Sequence, residues 1–132
     1  MSHIATYAAS LGLVNEHLLK QAMKAVAEKF GGTITSSIRN YALENLTKWE
    51  GANIVAGIQT PDVKRGIGVT MKNGTLKFIG DSYGCQESFL KLQKEIELAY
   101  TKLAIAAVLK QSGYELEVSA QPAGTVFIGR KR

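Results

Sequence analysis

The chain has 132 residues, 45% of them hydrophobic and 20% charged. That length excludes an eight-fold β/α barrel or a full hydrolase sheet, which need about 200 residues or more, and the apolar content excludes a disordered chain. The 16 basic and 11 acidic residues give a net charge of +5, but Arg130, Lys131 and Arg132 supply much of it, so the body of the chain is close to balanced and does not read as a nucleic-acid coat.

Residues 2–9, where Ile4, Thr6 and Tyr7 sit among small side chains, predict a first strand. Asn15 is placed to cap a helix over 15–30, in which Leu18, Leu19, Ala22, Met23, Val26 and Phe30 form one apolar face. Gly31-Gly32 ends it. Thr33 to Ile38 is β-rich, residues 39–51 have weak helical character, and Asn53 to Thr60 predicts a strand closed by Pro61-Asp62. A hairpin follows, with 68–71 and 76–79 flanking Asn73-Gly74, the pair a type I′ turn favours.

A long helix is predicted over 86–111, with Phe89, Leu92, Ile96, Ala99, Leu103 and Ala107 on one stripe. Tyr100 to Leu109 is apolar almost all round, which predicts burial on more than one side. Tyr114 to Val118 alternates as a half-exposed strand does. Gln121 to Gly124 turns, Thr125 to Ile128 is a last strand, and a basic tail follows. The expected fold is one α+β domain over 1–132: an antiparallel sheet of about six strands with two helices packed on one face. A ferredoxin-like variant, a split-βαβ core with an added hairpin, is the natural topology.

Gly80-Asp81-Ser82-Tyr83-Gly84 matches G-x-S-x-G between a predicted strand and a predicted helix. A serine hydrolase still fails, because no histidine follows Ser82 to act as base. The plainer reading is a tight turn, with Asp81 or Ser82 bonding the turn backbone or capping the helix. Cys85 follows that turn and reads as a small packed residue rather than a nucleophile. One Cys and two His leave no metal-ligand spacing, and no phosphate-binding loop is present, so neither a metal nor a cofactor is expected. Trp49 fits a core anchor and an exposed stacking group equally well.

The motif Asp81-x-Tyr83-Gly84, the helix with Leu92, Tyr100 and Leu109, and Gln111-x-Gly113-Tyr114 carry a resemblance, to which Met1-Ser2-His3 adds. Together they resemble the hypothetical chloroplast reading frame thirty-five family, also known as domain of unknown function twelve-fifty-seven. The resemblance is best from Lys64 to Arg132. It implies a small α+β domain with no activity to carry over, in a cytoplasm, a plastid stroma or a phage-infected cell. Asp81, Tyr83 and Gly84 match its central motif.

The expected function is a non-enzymatic binding or adaptor domain acting through a protein partner or a homo-oligomer. The alternative is binding of nucleic acid or a small anionic ligand by Lys64, Arg65, Lys77, Arg130, Lys131 and Arg132. No membrane partner is expected, since no long apolar window occurs and the opening residues lack a leader's basic and apolar regions.

Overall fold

A computed structural model of the chain describes residues 4–9, 16–40, 42–49, 51–72, 75–111, 113–121 and 124–131. In chain order the elements are β1 (Ile4–Ala9), α1 (Glu16–Lys29), β2 (Thr33–Thr35), β3 (Ile38–Arg39), β4 (Asn45–Leu46), β5 (Lys48–Trp49), β6 (Ala52–Asn53), β7 (Ala56–Gln59), β8 (Ile67–Lys72), β9 (Thr75–Asp81), α2 (Gln86–Gln111), β10 (Tyr114–Gln121) and β11 (Gly124–Lys131). The expected cap Asn15, the turn residues Asn73-Gly74 and Pro122-Ala123, Met1-Ser2-His3 and Arg132 lie outside the described residues.

The main sheet has five strands in the order β1-β9-β8-β7-β2, with every neighbouring pair antiparallel. From β2 the path is a meander back across the sheet, through β7 and β8 to β9. The first strand then pairs with the last, Ile4 opposite Asp81. Both helices lie on one face. Leu19, Met23 and Val26 of α1 and Phe89, Leu92, Ile96 and Tyr100 of α2 close over Ile58, Ile67, Val69, Leu76 and Phe78. Strand alternation accounts for this, since 67 and 69, and 76 and 78, share a face.

The opposite face carries a second, smaller core. The chain bends out of the sheet at Ser36-Ser37, where the Thr35 hydroxyl accepts from the Ser37 amide at 3.2 Å and donates to its carbonyl at 3.0 Å. Ile38, Trp49, Ile54 and Ile79 then cluster there. The sheet makes room by having no side chains at one spot. Gly57 and Gly68 are cross-strand partners, and a methyl built on either meets Ile38 Cγ2, at 3.4 and 3.2 Å. Ile38, fully buried, lies on this bare patch.

Four expectations need correction. The sheet has five strands rather than about six, because β10 and β11 pair only with each other. The helix before them spans 26 residues, about 39 Å, and carries the chain past the sheet. For the same reason the core is not a split βαβ: the strand after α2 never returns to the sheet. Among the described residues of 39–51 there is no helix. They form the two-residue strands β3 to β5, because Trp49 and Ile38 gain more by covering the sheet than a weak helix would. The residues Arg130 and Lys131, read as a tail, belong to β11, opposite Glu115 and Tyr114. No helix among the described residues is long and apolar enough to cross a membrane.

Candidate functional site

The turn between β9 and α2 gathers four of the sequence-predicted site residues. Asp81 ends β9 and is 1% exposed. One carboxylate oxygen, Oδ2, accepts from Arg65 Nη1 at 2.7 Å, and the other, Oδ1, accepts from the Tyr83 amide at 3.1 Å. The Arg65 carbonyl meanwhile accepts from the Arg39 amide at 2.8 Å. A single aspartate therefore ties the end of β9 to the loop before β8, and through it to β3. Gly84 has a φ of +79°, which only glycine adopts without cost, and it turns the chain into α2. The Cys85 amide donates to the Ser82 carbonyl and the Cys85 carbonyl receives Phe89, so the helix ladder starts there.

Gly80 explains how this turn sits so close to the sheet. A methyl at that position would lie 2.8 Å from both the Gly66 carbonyl and the Phe89 ring. Cys85 is half-buried against the main core. Burial, and then the Asp81 carboxylate, push its thiol above the ordinary value, while Arg65 opposes them. The thiol is thus held protonated, the reverse of an activated nucleophile. Among the described residues no three or more His, Cys, Asp or Glu side chains come together as a metal would require.

Within that turn the Tyr83 side chain is 58% exposed at the head of α2. The other predicted residues are dispersed, Lys64 being exposed beside Arg65. Lys77 shares a strand face with Asp81 but lies four residues away, about 13 Å. It lines a cleft of about 580 Å³ with Glu16, Trp49, Asn53 and Thr70. Trp49 is 9% exposed, so the core reading of it holds, yet its indole N–H is buried with no acceptor. Arg130 and Lys131 are exposed at the end of β11. The basic set is therefore spread over three places.

Two surfaces stand apart from the predicted site residues. The first is the second half of α2. Leu103, Ala104, Ile105, Ala106, Ala107 and Leu109 are each only half-buried, where burial on several sides was expected. Strand β10 packs against α2, and a methyl built on Gly129 of β11 would lie 3.0 Å from Leu109 Cδ2. Leu98 and Ile128, at 40% and 38%, extend the apolar exposure. The all-round apolar pattern was the available signal. The second surface is a groove beside β2, formed where two strands part, and no local pattern marks it.

Searches of family models, of curated proteins and of solved structures return no match to the chain.

Proposed function

We propose that this protein is a non-enzymatic assembly domain that pairs with a second copy of itself through the second half of α2. One observation carries the reading: five consecutive apolar residues, Leu103 to Ala107, are each half-exposed around the helix, between the exposed Lys102 and Lys110. A helix that is apolar on all sides belongs in a core or against a partner. Ala104, Ala106 and Ala107 present little bulk, so a second helix can approach closely. Pairing of like surfaces about a two-fold axis is the commonest closed arrangement. On this reading the Asp81-Ser82-Tyr83-Gly84 turn, and the family resemblance it carries, concern how α2 is launched rather than what it binds.

Light scattering on size-exclusion fractions tests this. The expected mass is that of a dimer, and Ile105→Glu is expected to give a monomer with an unchanged circular dichroism spectrum. A wild-type chain that stays monomeric to about 100 µM overturns the reading.

A second reading rests on the Trp49–Lys77 cleft, where an ammonium group beside the buried indole, with the Glu16 carboxylate also in the lining, suits a small ligand that carries both an anion and a hydrogen-bond donor, such as a nucleoside monophosphate. Trp49 is the only tryptophan, so its fluorescence reports occupancy directly. A titration with adenosine monophosphate that leaves the emission unchanged to about 1 mM removes this reading.

A further inference from the structure

The sheet edge opposite β1 is β2, only three residues long. It covers β7 from Gly57 to Gln59 and no further. The chain leaves the sheet at Ser36, so no strand of the main sheet flanks Ala56 on that side. A groove of about 540 Å³ results, lined by Ile34, Ser36, Val55 and Ala56 and walled by Lys20 and Lys24 of α1.

Ile34 is the middle residue of β2 and is 47% exposed, whereas its register partner Ile58 is fully buried. Strand alternation puts both on the helix-covered face, so the apolar layer continues past the last strand into the groove. Lys24 has no ion-pair or hydrogen-bond partner among the described residues, and Lys20 is held only by Glu16 at 3.1 Å, with both side chains more than half exposed. Lysines that guard a sheet edge sit on the edge strand itself. Here the strand reads Thr33-Ile34-Thr35, and the charges stand on the helix alongside. They leave the ladder open and present positive charge to whatever lies along it.

We infer that β2 and α1 form a docking groove for an extended peptide segment of a partner protein, one that carries an apolar side chain two residues from a carboxylate. The segment adds to the outer side of β2 through main-chain hydrogen bonds. Same-face residues on a strand repeat at about 6.7 Å, and Lys20 and Lys24 are about 6 Å apart along α1. An apolar side chain seated over Ile34 leaves the next same-face residue beside the lysine row of α1 that lines the same groove, where a carboxylate pairs with Lys24. The groove uses no residue of α2, so it stands or falls independently of self-assembly.

The test is fluorescence anisotropy of the full chain with a fluorescein-labelled synthetic peptide, Thr-Glu-Thr-Leu-Thr-Glu-Thr. Saturable binding with a Kd below about 500 µM is expected. Lys24→Glu, at an exposed position that does not threaten folding, is expected to weaken it about tenfold. Serine in place of the peptide leucine, or N-methylation of the peptide backbone, is expected to do the same. Raising salt from about 50 to about 300 mM should weaken it several-fold, since the ion pair is exposed. Absence of saturable binding at about 1 mM peptide overturns the proposal. So does equal binding of a peptide with lysine in place of both glutamates, or of the serine peptide.

Discussion

Arg65 and Asp81 meet at 2.7 Å across two turns of the chain, and they are unequally buried: the aspartate side chain is 2% exposed and the arginine 28%. The asymmetry decides what each loss costs. Arg65→Ala leaves a buried carboxylate with one backbone donor, which is expected to cost about 3 kcal/mol. Asp81→Ala leaves a guanidinium that still reaches water, and about 1–2 kcal/mol is expected. Urea denaturation of the two variants checks the order, and a larger loss for Asp81→Ala contradicts it.

The same pair also acts on Cys85. Its thiol titrates above the ordinary value because of burial first and Asp81 second, with Arg65 pulling the other way. Iodoacetamide alkylation followed against pH is expected to show an inflection above that of free cysteine. Asp81→Asn should move it down, and Arg65→Ala should move it up. Because the folded state holds this proton longer than the unfolded chain does, its stability falls as pH rises past the unfolded thiol's pKa. A profile identical to free cysteine removes the argument.

Two glycines differ in what surrounds them, and the difference is measurable. A methyl on Gly80 meets the Gly66 carbonyl and the Phe89 ring at 2.8 Å, and the backbone cannot yield. Gly80→Ala is expected to cost about 3 kcal/mol or more. A methyl on Gly68 meets the Cγ2 methyls of Ile38 and Ile54 at 3.2 and 3.3 Å, side-chain contacts that need give by only a few tenths of an ångström. Gly68→Ala is expected to cost about 1 kcal/mol, and Ile38→Ala beside it should recover part of that. Thermal or urea melts that rank the two glycines the other way would show the sheet is not packed this way.

The helices, the hairpin of β8 and β9, and the turn at Asp81 were legible in the sequence because their signals are local. The apolar spacing of α1 and α2, and the glycine, aspartate and serine of the turn, act on their own neighbours. Ile38 was not legible, because its burial depends on Gly57 and Gly68, which become a bare patch only when their strands pair. The same holds for Arg65 and Asp81: each is plain in the sequence, but their contact across 16 residues is not. Strict alternation in Tyr114 to Val118 foretold a strand with one apolar side. It carried no information on which surface that strand would meet, so β10 was assigned to the sheet when its neighbour is α2.

Leu43 offers a test of the loop on the open face. It has a φ of 61°, a left-handed conformation that side chains resist, and it is 61% exposed. Asn40 Oδ1 holds the turn by accepting from the Ala42 and Glu44 amides. Leu43→Asn keeps the turn, loses no packing, and is expected to stabilise the protein by about 0.5–1 kcal/mol. A melting temperature raised by roughly 2–5 °C is the readout, and a fall would show that the leucine makes contacts of its own.

The pairing of β1 with β9 has a consequence for the order of events during synthesis. The strand made first has its hydrogen-bond partner among the last sheet residues to leave the ribosome. Until Thr75–Asp81 emerges, β1 has an unsatisfied ladder, while the meander from β2 onward closes each strand on its immediate successor or near it. Strand β1 is thus the border laid last along a sheet that already stands, and it is the part a nascent chain must keep from pairing elsewhere.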